Sequence, residues 1–281
     1  MDAPTLGVLR DTALLVWTAL LFGVLAYQIM RAWLPDSITS IGRVQASSYV
    51  SADAVLVVAI SALLLGGLQS AASVTADAKP EVAELSLSGT LASIVIQLGI
   101  CVGLLIYLQV VRGYNPAELF GLRRMNPLWA IALALLFMIP TIIIVNGSAL
   151  GLNAWMQGFW PDLQGQETAE SFRASDDVLA KIMLAVAAAI VAPLVEEIIF
   201  RGFIYGVLKR YTDGIFAALC SSLLFAIVHL HVGTLFPLAL LALIFCAVYE
   251  YTGCLLVPMI MHGLFNATSL IVMVFFPQIQ P

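Results

Sequence analysis

The chain is short of charge. Only 10% of its 281 residues are Asp, Glu, Lys or Arg, against about 25% in an ordinary soluble domain. A water-soluble fold of this length needs far more polar surface, so that class is excluded. Basic residues are scarcer than acidic ones, 12 against 17, for a net charge of −5 and a pI near 5.1. This excludes the basic field that holds a nucleic acid. Cysteine is sparse as well: Cys101, Cys220, Cys246 and Cys254 lie singly in or beside apolar runs, with no C-x-x-C pair. Neither a zinc knuckle nor a disulfide framework is suggested, and buried inert thiols are expected. There is no internal repeat and no low-complexity tract.

Apolar sequence is what the chain has in excess, with 62% hydrophobic residues and a mean hydropathy of +1.02. A spanning helix needs about 20 largely apolar residues. Eight stretches qualify: 12–31, 54–73, 90–111, 128–149, 180–200, 215–231, 234–250 and 254–276. The first exceeds the 7–15 residues of a signal-peptide core and lacks a small-x-small cleavage site after it, so it reads as a membrane helix. The expected fold is therefore all-α, a polytopic protein with about eight transmembrane helices in a lipid bilayer. Short loops and many alanines suggest a prokaryotic plasma (inner) membrane.

Lys and Arg set the expected orientation. Arg31 and Arg43 follow the first span, Arg112, Arg123 and Arg124 the third, and Arg201, Lys209 and Arg210 follow or extend the fifth. The loops after the second and fourth spans are acidic instead, with Asp77, Glu81, Glu84, Asp162, Glu167, Glu170, Asp176 and Asp177. Eight spans with both termini outside the cytoplasm satisfy this alternation. Three regions follow: 1–150, N-terminal transmembrane helices of unclear role; 151–179, a polar extramembrane loop with an interfacial piece around Trp155, Phe159 and Trp160; and 180–281, which carries the motifs.

An ionisable side chain inside a membrane helix costs at least about 2.5–3.5 kcal/mol, which marks it as a functional candidate. The apolar run from Ile182 is broken by Glu196-Glu197, resumes as Ile-Ile-Phe and reaches Arg201. Glu197 and Arg201 are four apart, the spacing and order of a helical ion pair. Glu196 points about 100° away and has no local partner, which suits a general base. The bland alternative is a helix end where Glu and Arg are simply wet.

All three histidines fall in the last third, at 229, 231 and 262. A turn at Thr212-Asp213-Gly214 makes a helical hairpin that brings His229 near the two carboxylates and Arg201 opposite Phe225. A second turn at Thr252-Gly253 returns His262 to a depth of about 13 Å, with Asn266 one turn further on the same face. Two histidines, a carboxylate and an amide can then converge inside the bilayer. Such a set suits hydrolysis, with Glu196 taking a proton from water and the others stabilising an oxyanion. Glu196, His229 and His262 are also plausible ligands for a divalent metal such as zinc, although the spacing is not H-E-x-x-H.

Three motifs now stand in order: Glu196-Glu197-x-x-x-Arg201, Phe225-x-x-x-His229 and His262-x-x-x-Asn266. Together they resemble those of the CAAX protease and bacteriocin-processing (CPBP) family of intramembrane proteases, across about residues 180–276. The resemblance implies a glutamic or metal-dependent endopeptidase of the type II CAAX prenyl endopeptidase kind. It implies that Glu196 activates water with help from His229, that Glu197 and Arg201 support them, and that His262 and Asn266 orient or stabilise the tetrahedral intermediate. The implied partner is a prenylated or otherwise membrane-associated peptide or protein substrate.

Other polar residues read as incidental. His231 points away from His229 on a helix, Glu250 reads as a wet carboxylate at the interface, and Asp11 and Asp53 begin helices, where the dipole favours an acid. The loop between Asn115-Pro116 and Asn126-Pro127 reads as a cytoplasmic connector whose arginines report topology. Two rival functions are a non-catalytic membrane scaffold or bacteriocin-immunity protein and a secondary transporter. The intact motifs argue against the first, and the absence of repeated halves against the second.

Overall fold

A computed structural model describes residues 25–33, 42–76, 87–156, 177–229 and 232–275, with Thr18, Phe22 and Gly23. Among the described residues the regular structure is helical, with no strand. The helices are α1 (Ser51–Ala76), α2 (Leu87–Val111), the single turn α3 (Pro116–Leu119), α4 (Pro127–Met156), α5 (Val178–Tyr211), α6 (Gly214–Ile227), α7 (Val232–Thr252) and α8 (Leu256–Phe275). Their starts are written locally. Asn115 and Asn126 each accept an amide two residues on, at 3.0 and 2.9 Å, ahead of a proline in the first helical position, as N-caps do. Asp177 caps α5 through Leu179 and Ala180, and Asp213 caps α6 through Ile215 and Phe216.

Five of these helices are long and apolar enough to cross a membrane: α2, α4 (Pro127–Leu152), α5, α7 (Gly233–Thr252) and α8. The apolar helices Ser51–Leu65 and Gly214–Ile227 are shorter. The predicted span 215–231 is therefore a helix of 14 residues, about 21 Å long against a hydrocarbon core of about 30 Å. The predicted span 180–200 instead extends to 34 residues, about 51 Å, so it must tilt or project from the membrane. The polar segment expected from 151 begins inside α4, which runs to Met156. Its residues 157–176, most of the predicted span 12–31, Asp11 and His231 lie outside the described residues.

The core has two parts. One gathers Phe120, Phe203, Ile204, Tyr205, Phe225, Tyr249 and Leu255 around α5. The other joins α4 to α7 and α8 through Ala130, Ala134, Met138, Leu241, Phe245 and Met261. Side chains such as Val110, Ile139 and Ile190 point outward from the bundle, as lipid-facing residues must.

Candidate active site

Helix α5 carries the site, and it is not a regular α-helix. Two stretches, Ala187–Val191 and Glu197–Ile204, widen to π-type turns, which commonly mark functional sites. In the first, the Ala192 amide reaches back five residues to the Ala187 carbonyl. The next amide in that register belongs to Pro193, which has no hydrogen to give. The Ala188 carbonyl is served instead by Asn266 Nδ2 from α8 at 2.8 Å. Gly263 makes this approach possible, because a Cβ there would lie 2.7 Å from the Ala189 oxygen.

The second wide turn holds Glu197 and Arg201, both fully buried. Arg201 Nη1 lies 2.8 Å from Glu197 Oε1, the ion pair expected from their spacing. Glu197 Oε2 has no hydrogen-bond partner among the described residues, so the guanidinium and His262 meet this carboxylate through Oε1. Phe225 stacks beneath the guanidinium, its ring centre 4.4 Å from Cζ, and Phe245 lies at 5.4 Å. Such a cation–π contact is worth roughly 2 kcal/mol when desolvated.

His262, 3% exposed, joins both carboxylates. Its Nδ1 is 2.9 Å from Glu197 Oε1 and its Nε2 is 3.8 Å from Glu196 Oε2. A carboxylate paired with Arg accepts, so Nδ1 carries the hydrogen and Nε2 faces Glu196. Glu196, 23% exposed, is the open member of the cluster.

His229 lies just past the end of α6. Its Nδ1 is 2.7 Å from the Phe225 carbonyl, which can only accept, so Nδ1 donates and Nε2 is the ring nitrogen without the hydrogen. The side chain thereby satisfies a carbonyl at the helix end. Hairpin counting brings His229 near the carboxylates, yet His262 is the histidine at ion-pair distance from them among the described residues. His229 meets the cluster through Phe225, whose ring centre is 4.6 Å from His229 and 5.8 Å from His262. No group of three His, Cys, Asp or Glu side chains that could hold a metal ion occurs among the described residues. Glu196, His229 and His262 do not form such a group in this arrangement.

Some of what packs here has no signal in the sequence. Phe245 of α7 lies 5.4 Å from His262, ring centre to ring centre, and nothing local distinguishes it from other apolar residues of that helix. Two residues read as incidental are bound. Glu250 is no wet carboxylate: it accepts from the Val44 amide at 3.1 Å and from Tyr205 Oη and Lys209 Nζ. Asp53 does begin α1, its Oδ2 accepting the Val50 amide at 2.8 Å. It also takes Tyr107 Oη at 2.7 Å and Arg112 Nε at 3.0 Å.

The site is thus a buried acid–arginine–histidine cluster with one open carboxylate, in a helical membrane protein. Residues 178–268 match the Rce1-like family, described as type II CAAX prenyl endopeptidase Rce1-like. That stretch contains all three motifs, and the likeness to the CPBP family drawn from them holds. The chain is 32% identical over 117 residues to "Putative membrane peptidase YdiL" of Bacillus subtilis (strain 168). The aligned stretch covers 42% of this chain and 46% of that protein, so the match spans about half of the relative's length. No solved structure matches. Both descriptions name a peptidase.

Proposed function

We propose that the protein is an intramembrane endopeptidase, embedded in a prokaryotic plasma membrane, that hydrolyses a peptide bond with water activated by Glu196. The observation that carries this reading is the pairing of the open Glu196 carboxylate with His262 Nε2 at 3.8 Å. That gap is too long for a direct hydrogen bond, and both atoms can contact one water. Glu196 takes a proton from that water as its oxygen attacks the scissile carbonyl. The carbon–nitrogen bond then breaks, and Glu196 returns the proton to the leaving amine. His229 assists through Nε2, the ring nitrogen that the Phe225 carbonyl does not engage, acting on the water or the developing oxyanion.

The remaining groups position these. The fully buried Glu197–Arg201 pair fixes the tautomer and orientation of His262 through Nδ1. Asn266 acts by orientation, since its amide nitrogen is engaged by Ala188 and holds α8, with His262, against α5. The substrate is a membrane-associated peptide or protein. The matched family's description supports a C-terminally prenylated one.

The test is N-terminal peptide mapping of host membranes carrying wild type or Glu196→Ala at equal protein levels. New peptide ends present only with wild type are the expected result, and they identify the substrate. Identical maps across growth conditions would remove the protease reading and move the scaffold and transporter readings ahead.

A further inference from the structure

The family match begins at residue 178, yet the wide turn holding Glu197 and Arg201 is gripped by side chains from before it. Gly202 and Gly206, four apart on α5, open a groove of the kind that small residues allow between membrane helices. A Cβ on Gly202 would stand 2.9 Å from Phe120 Cε1, and one on Gly206 would stand 2.5 Å from Tyr49 Cε2. Each glycine therefore has an aromatic ring directly over it. Tyr49 Oη also donates to the Gly202 carbonyl at 2.7 Å, one residue after Arg201. Its ring meets Phe203 edge-on at 6.0 Å.

Tyr49 is itself held stiffly. Residues 42–50 form a strap across the ends of α5 and α7. The Val44 amide donates to Glu250 at 3.1 Å, and Lys209 Nζ donates to the Val44 carbonyl at 3.0 Å. On either side of Tyr49 the chain is tied to Arg112, just past α2, which donates to the Ser48 carbonyl at 3.2 Å and pairs with Asp53 of α1. Wide turns are rare in helices and mark functional sites, and a side chain from outside α5 binds this one at the Gly202 carbonyl. Tightening it to an α turn rotates one flank against the other by about 100°, which would carry Glu197 and Arg201 away from His262.

We propose that Tyr49 is a positioning residue of the site: through Gly202 it holds the wide turn in which Glu197 and Arg201 orient His262. The kinetic arm of this proposal rests on the protease reading; a spectroscopic arm does not.

Tyr49→Phe removes only the hydroxyl. In lipid nanodiscs the variant is compared with wild type, Glu196→Ala and Gly206→Ala, the last of which pushes the ring from the other side. Two readouts are taken: cleavage of the mapped substrate, and the ring 15N shifts of His262, assigned among the three histidines by single His→Gln variants. Tyr49→Phe is expected to lower kcat about tenfold, the factor of one lost hydrogen bond, with KM unchanged and the His262 shifts moved. Gly206→Ala is expected to act in the same direction. Unchanged shifts in both variants overturn the proposal whatever the kinetics, and so do moved shifts with unchanged kcat in an active enzyme. If wild type cleaves no better than Glu196→Ala, the protease reading fails, and the nitrogen shifts alone decide the role of Tyr49.

Discussion

Removing one charge of the Glu197–Arg201 pair should cost far more than removing both. At an effective dielectric of about 20, charges 2.8 Å apart attract by about 6 kcal/mol. Taking each ion out of water costs several kcal/mol, so the pair as a whole contributes little net stability. Arg201→Met leaves a fully buried carboxylate with only the His262 Nδ1 hydrogen to meet it. Glu197→Gln leaves a fully buried guanidinium over Phe225. Each single variant is expected to lose about 3–5 kcal/mol. The double variant should lose less than either single, so the coupling must exceed the cost of one single, at least about 3 kcal/mol. The assay is reversible unfolding in mixed micelles, followed by far-UV circular dichroism and titrated with an anionic detergent. Additivity within about 0.5 kcal/mol would refute the reasoning, because it would mean that neither charge depends on the other. Singles costing under about 1 kcal/mol would refute the burial itself, as a solvated pair behaves that way.

Further expectations follow from individual contacts. Glu196→Gln should leave stability unchanged and lower cleavage by at least about a hundredfold, read on the substrate that peptide mapping identifies. Asn266→Ala should destabilise the packing of α8 on α5 by about 1–3 kcal/mol, because the Ala188 carbonyl loses its donor; the same unfolding titration measures it. Gly263→Ala should cost a similar about 1–3 kcal/mol by forcing α8 off the Ala189 oxygen. Tyr49 offers a pH test. Burial, then Tyr249, then the Asp53 charge push its phenol well above the ordinary 10.0. A raised folded-state value means stability that is complete below about pH 10 and falls as pH rises beyond it. Tyr49→Phe should flatten that alkaline fall, and an unchanged alkaline limb would contradict the burial of the phenol.

Much of this protein is legible without its fold. Scarce charge and long apolar runs determine a helical membrane chain, since lipid leaves backbone groups no other partners. The i,i+4 spacing of Glu197 and Arg201 announces their pairing, and it survives the widened turn in which they sit. The hairpin turns at Thr212–Gly214 and Thr252–Gly253 are marked by their own residues. Asp213 caps α6, and Gly253 takes a positive φ of 66°.

Tertiary structure alone decided the rest. α6 stops near Ile227 although apolar sequence continues, and the His229 side chain serves the Phe225 carbonyl there. The wide turns of α5 depend on partners far away in sequence, Asn266 for Ala188 across 78 residues and Tyr49 for Gly202 across 153. Glu250 reads as a helix-end acid until Tyr205, Lys209 and the Val44 amide converge on it. Periodicity and capping are local and survive in the sequence. The partner of a freed carbonyl or a buried charge is whichever group the packing of distant helices delivers.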